Sequence, residues 1–352
     1  MVSLPNRFYY GIIRGVQYIM SDCKNSDFTI DSYLSVGRLR WHDNKALDEH
    51  ARLDANGIPE VYYHGHWAKN NIDLGWKKQP STVAFYGLEH HSRFVSNGCQ
   101  NSRSIVISMA NYLCESQDSE GAWRFEFEAM YYDGVLSHGW CSCLTQGVAI
   151  SLLLRANNLL PSRSYQDSIK KAVDFFELTV ENGGCARIIK SGTVYEEYPV
   201  RGKTSFVLNG HCFALVGLYE AAHYLKYEPA ERLFRQGEQA LRQCLPAFGV
   251  CRYFTRYDLV LLLNYGFLKI HNDLYVWFVG GQLRALGLWT NHPEYAHFAN
   301  LWDVPQRFPA IWRKGFVFCV RKLSKILGSN IRFLFPAQCA NNFLDQLPGS
   351  CK

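Results

Sequence analysis

The chain has 352 residues, 48% hydrophobic and 19% charged, with a formal net charge of +6; that is apolar enough for a large folded core and excludes a disordered chain. The basic residues are spread out, with no dense block and no helix-turn-helix or zinc-finger spacing, which argues against a nucleic-acid partner and for an acidic partner of another kind. Twelve cysteines include one close pair, Cys141 and Cys143, whose spacing suits neither a zinc knuckle nor a redox Cys-x-x-Cys, so free buried thiols in a reducing cytoplasm are expected.

In chain order, Met1 to Met20 mixes Arg7 and Arg14 with Phe8, Tyr9, Tyr10, Ile12 and Ile13, without the continuous apolar stretch of a signal peptide. A soluble, cytoplasmic protein is the expectation; contact of this segment with a membrane surface is the alternative left open. Residues 27–80 hold short stretches such as Val61-Tyr62-Tyr63 among Asn, Asp, Gly and His, and predict an extended arm with a hairpin or two. His64 and His66, like His90 and His91, lack a third ligand at a recognisable spacing, so no metal is expected.

From about Thr82 helical periodicity takes over. Ile105, Met109, Tyr112 and Leu113 form one face; Ile150, Leu153, Leu154 and Leu159 form part of another. Phe125-Glu126-Phe127-Glu128 alternates like a strand, unlike the spaced acid pair of a glycosidase. Further helices are predicted over 168–181, 206–224, 230–244, 280–288 and 293–301, with breaks at Gly183-Gly184 and Pro246. The apolar run from Leu259 to Leu268 is interrupted by Asn264 and too short to span a bilayer. The expected fold is all-α: an α/α toroid, or incomplete α/α barrel, of helical hairpins over 81–310. A small arm with short β elements over 1–80 would precede it, and an extension over 311–352 would follow. No period is strict enough for a solenoid.

One segment stands out: Tyr195-Glu196-Glu197-Tyr198-Pro199, followed by Ser205-Phe206-Val207-Leu208-Asn209-Gly210. A carboxylate beside a phenol is by itself ordinary for a surface loop. Here it is accompanied, in order, by Pro80, Ala84 and Tyr86-Gly87-Leu88, by Gly139-Trp140-Cys141-Ser142 with Gln146-Gly147 and Arg155-Ala156, and downstream by Gly217-Leu218-Tyr219, Leu245-Pro246, Tyr257-Asp258-Leu259, Tyr275 and Gln282-Leu283. Together these resemble the D-glucuronyl 5-epimerases that act on heparosan-type chains, over about Thr29 to Leu301. The arm with Gly57-Ile58-Pro59 is similar to that of the shorter bacterial-type members, and the resemblance implies a chain without the β-sandwich domain that animal members insert and without the metal site belonging to it.

The resemblance implies inversion of C5 in D-glucuronate units, giving L-iduronate in an acidic polysaccharide, with no cofactor and no metal. The C5 hydrogen is a very weak acid, and ionising it places a second negative charge beside the carboxylate. A site for it therefore needs two acid/base groups and neutralisation of that carboxylate. Tyrosine suits the task because its reference pKa of about 10 is closer to that of the carbon acid than a carboxylate's is. Carried over residue by residue, the catalytic group is Glu197, Tyr198, Tyr257 and Tyr275, with Tyr257 or Tyr275 on one face of the sugar and Glu197 with Tyr198 on the other.

Substrate contacts fall on Tyr86, Trp140, Gln146, Tyr195, Arg201, Asn209 and Arg256, with Lys203 beside them. Each has a plainer reading: core packing for Tyr86 and Trp140, a helix cap for Asn209, solvated loop charges for Arg201, Lys203 and Arg256. The chain departs from the family at Val260, where better-known members carry arginine, at Val276 and Val279 in place of histidines, and at Val194, Phe85 and Gly281. A polysaccharide lyase on the same fold and a non-catalytic binder of acidic glycans are the rival readings, and a homodimer is left open.

Overall fold

A computed structural model describes residues 51–63, 73–250, 253–260, 273–303 and 310–327. The expectations for the N-terminal segment, for His64 and His66, for most of the 259–268 run and for the end of the C-terminal extension lie outside the described residues.

The extended arm contains a three-stranded antiparallel sheet of β1 (Ala51–Leu53), β2 (Pro59–Tyr63) and β3 (Gly75–Lys77), in that order. The rest is mainly helical, as expected. Helix α1 (Pro80–Asn97) opens on a proline, whose missing N–H costs nothing in a first turn, and stops at Gly98, which takes a left-handed φ of 70°. It is followed by α2 (Gln100–Ser116), α3 (Cys143–Leu159), α4 (Arg163–Asp174), α5 (Leu208–Leu225), α6 (Glu228–Cys244), α7 (Asp273–Thr290), α8 (Pro293–Asp303) and α9 (Ala310–Leu327). The helix predicted over 168–181 is split. It starts earlier, ends at Asp174 and gives way to two 3-10 turns over Phe175–Glu177 and Val180–Asn182.

Odd-numbered helices α1, α3, α5 and α7 pack on one another in succession, and each is backed by the even-numbered helix that follows it. Two rows of helices, an inner and an outer, result. Helices α3 and α5 are apolar almost all round and buried over most of their length, as an inner row requires, whereas α4 and α6 keep one buried stripe and one wet face. The inner helices α3 and α5 touch through glycine. A Cβ added to Gly147 would stand 2.2 Å from the Phe213 carbonyl oxygen, and one on Gly217 would stand 2.5 Å from that of Gly147. Arg155 on α3 and Glu220 on α5 form a bidentate pair at 3.1 Å, both fully buried.

Three hairpins decorate the helices: β4 (Ala129–Tyr131) with β5 (Gly134–Leu136), β6 (Ala186–Ile189) with β7 (Gly192–Tyr195), and β8 (Gly249–Val250) with β9 (Phe254–Thr255). Phe125 and Phe127 point inward while Glu126 and Glu128 are exposed, the alternation expected of that stretch. These hairpins cover a second, smaller apolar cluster built on Val61, Tyr63, Phe125, Phe127, Val207 and Val260, and Trp140, Tyr198 and Tyr257 rest half-buried against it. The described cysteines are free, most of them buried. No described helix is long and apolar enough to cross a membrane.

Candidate functional site

The chain leaves β7 at Tyr195 and reaches α5 through residues 196–206, and Glu196 ties this passage into a knot. Its fully buried carboxylate accepts Ser205 Oγ at 2.7 Å, the Phe206 N–H at 3.0 Å and the Ser205 N–H at 3.2 Å, together with the Thr204 hydroxyl and Arg187 Nε at 3.3 Å. Its own N–H donates to the Cys185 carbonyl at 2.8 Å, and its carbonyl accepts from the Cys143 N–H at 3.1 Å. A carboxylate with so many donors fixes backbone that would otherwise be irregular, including Phe206 at a φ of 39°.

The next residue faces the other way. Glu197 is buried against the first turn of α5, where a Cβ added to Gly210 would meet its Oε2 at 2.4 Å. Helix N-termini, with free N–H groups and the positive end of the macrodipole, favour negative charge. The Tyr257 hydroxyl donates to Glu197 Oε1 at 3.4 Å, a long contact between residues 60 apart in sequence. Short backbone pairing makes the meeting: the Leu208 N–H donates to the Tyr257 carbonyl and the Leu259 N–H to that of Ser205, each at 3.1 Å. Beneath the two glutamates lies Cys143, whose thiol is pushed well above its usual range by burial first and then by the charges of Glu197 and Glu196. It is a neutral thiol donating to the Tyr195 carbonyl at 3.2 Å, with no reactive character.

Tyr198 lies flat on Tyr131, ring centroids 4.1 Å apart and planes 13° apart, with Trp140 tilted beside it at 6.3 Å. Trp140 is stacked at 3.9 Å on Phe125 and donates its indole N–H to the Phe127 carbonyl at 3.1 Å. The β4–β5 hairpin is pinned to the Tyr257 segment by Asp258, whose Oδ2 accepts the hydroxyls of Tyr131 at 2.6 Å and Tyr132 at 2.8 Å. Burial, then the Asp258 charge, raise the Tyr131 phenol well above the ordinary tyrosine range, so it remains a donor. Val260 is fully buried in the same cluster and contributes no charge.

A groove of about 540 Å³ has Trp140, Pro199, Arg124, His138, Arg201 and Lys203 among its walls, and Glu197, Tyr198 and Tyr257 do not line it. Arg124 is held by Asp118 at 2.6 Å and Glu120 at 2.5 Å, and Lys203 by Asp133 at 2.5 Å. Arg201 is exposed and makes no ion pair among the described residues.

Glu197, Tyr198, Tyr257 and Trp140 are thus brought together, with Arg201 on the groove wall. Glu197 and Tyr257, expected on opposite faces of the sugar if Tyr257 rather than Tyr275 is the second group, touch at 3.4 Å. Tyr195 is core, not groove. It is fully buried, its hydroxyl donating to the Leu233 carbonyl at 2.8 Å, which removes it as a substrate contact. Gln146 is also spent on structure, its amide accepting the Trp123 N–H at 3.0 Å and donating to the Gly121 carbonyl at 2.9 Å.

Arg256 is fully buried and is no solvated cation. Tyr86 sits half-buried on α1, edge-on to His90. Asn209 occupies the second position of α5 and does not cap it; its buried Oδ1 has no partner among the described residues, and neither has Oε1 of Gln282, which donates to the Asn209 carbonyl at 3.4 Å. The Tyr275 side chain, like that of Val276, lies outside the described residues, although its backbone belongs to α7; Val279 is buried. Sequence reading missed Tyr131, Tyr132 and Asp258 as members of the site. The signal available was an Asp133-Gly134 turn with two phenols before it.

Comparison with known proteins matches residues 117–304 to the family described as D-glucuronyl C5-epimerase C-terminus. The match takes in Glu197, Tyr198, Tyr257 and Tyr275 and leaves Tyr86 outside. The chain is 30% identical over 238 residues to the D-glucuronyl C5-epimerase of Caenorhabditis elegans, an overlap of 63% of this chain and 35% of that protein. It is 25% identical over 156 residues to an uncharacterized protein of Methanocaldococcus jannaschii, 40% of this chain and 50% of that one. The chain therefore spans 35% and 50% of the lengths of these two relatives.

Proposed function

This chain belongs to the D-glucuronyl C5-epimerase family through its domain at residues 117–304, and on that premise we propose that it inverts C5 of glucuronate units in an acidic polysaccharide of heparosan type. The observation that carries the reading is the meeting of Glu197 and Tyr257 at 3.4 Å beside Tyr198. Nothing in the sequence obliges residues 60 apart to place a carboxylate and a phenol at one point.

The reaction takes H5 as a proton, leaves its electron pair shared between C5 and the sugar carboxylate, and returns a proton on the opposite face. Glu197 and Tyr257 form one acid/base unit, the carboxylate drawing on the phenol's proton so that the unit can accept or deliver one. The Tyr198 phenol, or Tyr275, serves the other face. General acid/base groups so placed contribute about 10² to 10⁴ in rate each.

Negative charge developing on the sugar carboxylate needs a cation or several donors. With Val260 in place of the expected arginine, Arg201 is the exposed cation at the groove that takes this part. Proton NMR of heparosan incubated with the protein in deuterium oxide tests the reading. Loss of the H5 signal with appearance of iduronate supports it; unsaturated uronate, seen by ultraviolet absorbance, would mean elimination instead, and unchanged polymer would mean binding without chemistry.

A further inference from the structure

Helix α9 follows the shared domain, which ends at residue 304, and its surface is unlike that of the other helices. Its sequence contains Arg313, Lys314, Arg321, Lys322 and Lys325 and no acidic residue. Of the nine large apolar side chains exposed in the described part of the protein, Trp312, Phe318, Leu323 and Ile326 all lie on this one helix, the tryptophan and isoleucine 74% and 77% exposed. Trp312, Cys319, Leu323 and Ile326 follow one another at intervals of seven, four and three residues, which makes a single stripe at helical period. Cys319 is exposed as well. Lys322 Nζ stands 5.6 Å over the Phe318 ring, so cation and apolar surface adjoin.

The flank of α9 beside this stripe is anchored. Phe316 stacks on Phe254 at 4.3 Å, and Val320 is buried. The fold therefore holds the helix by one face and leaves an apolar stripe in water, an arrangement that soluble surfaces avoid unless something covers it.

We propose that α9 seats the protein on an anionic lipid bilayer, lying in the plane of the headgroups. The charge pattern selects this occupant. A second copy placed symmetrically would set one all-basic helix against another. An acidic polysaccharide would take the cations and leave tryptophan, leucine and isoleucine wet. Anionic headgroups over acyl chains satisfy both, with tryptophan at the boundary and lysine stems reaching out to phosphate. Since no described helix can span a bilayer, the contact is peripheral.

Flotation of the full chain with vesicles decides the matter. The protein should float with phosphatidylcholine vesicles that contain phosphatidylserine, not with phosphatidylcholine alone, and added salt should weaken the binding. Trp312→Ser combined with Ile326→Ser should lower the apparent affinity by about tenfold or more, with an unchanged circular dichroism spectrum because both side chains are exposed. Lys322→Glu, a second and milder probe, should lower it too. Failure to float with anionic vesicles, or binding indifferent to all three substitutions, overturns the proposal. So does a dimer in sedimentation that the Trp312 and Ile326 substitutions dissolve, since the stripe would then be the seat of a second copy.

Discussion

Glu197 Oε1 lies 3.4 Å from the Tyr257 hydroxyl, and the two are held together by backbone pairing between the stretch entering α5 and the stretch leaving β9. The position of each side chain thus depends on the same pair of segments. Tyr257→Phe and Glu197→Gln should each reduce exchange of the C5 hydrogen with deuterated solvent by about 10² to 10⁴. The half-buried Tyr257 should lose about 1 kcal/mol of stability at most. Full exchange in both folded variants would remove this pair from the chemistry.

Glu196 gives the opposite expectation. Its carboxylate is consumed by the Thr204, Ser205 and Phe206 donors and by Arg187, so removing it leaves several buried donors unpaired. Glu196→Ala should cost about 3 kcal/mol or more, read as a lower denaturation midpoint. Two adjacent glutamates would then separate cleanly, one lowering stability and the other lowering rate.

A third expectation concerns Gly210, which has no room for a methyl group because Glu197 Oε2 would lie 2.4 Å from it. Alanine normally favours a helix by up to about 1 kcal/mol over glycine. In Gly210→Ala that gain is met by displacement of the Glu197 carboxylate, so exchange should fall at least tenfold while the helical circular dichroism signal is retained.

The sequence shows the residues of this site more readily than their division of labour. Tyr-Glu-Glu-Tyr-Pro could be found by resemblance, yet which glutamate is consumed by its own loop and which meets Tyr257 depends on donors eight to ten residues away. Tyr195 and Gln146 read as site residues because they stand in segments that resemble the family, but burial assigns the first to the α6 backbone and the second to the 121–123 turn. The inner helices were legible from their apolar runs. Less so was the end of α4, where Phe175 and Phe176 continue the apolar pattern into 3-10 turns that periodicity does not distinguish from helix.

Acid should weaken the fold through His211. This imidazole is fully buried, accepts the Tyr195 N–H on Nδ1 at 3.0 Å and donates from Nε2 to the Gly237 carbonyl at 3.0 Å, which defines its neutral tautomer. Burial brings its pKa down from 6.5 to about 4. The folded state therefore binds fewer protons than the unfolded one between those values. Stability is complete above about pH 6.5 and is lost progressively as pH falls towards 4, by about 2 kcal/mol from this group between pH 7.5 and pH 5. His90, also pulled down to about 4 by burial, acts in the same sense. Urea denaturation at the two pH values checks the slope, and the His211 resonance, assigned by its loss in His211→Asn, should keep its neutral position down to about pH 5.

The glycine contact between α3 and α5 limits how the helical rows can move. At Gly147 and Gly217 main chain rests on main chain, and displacing either helix by one residue would drive a side chain into a carbonyl. Those two helices can only travel as a unit. The β4–β5 hairpin, which contributes Gly134 and Val135 to the groove wall, is tied instead by side chains: the Tyr131 and Tyr132 hydroxyls on Asp258, the Tyr131 ring on Tyr198 and Asp133 on Lys203, contacts that lie outside the helical rows.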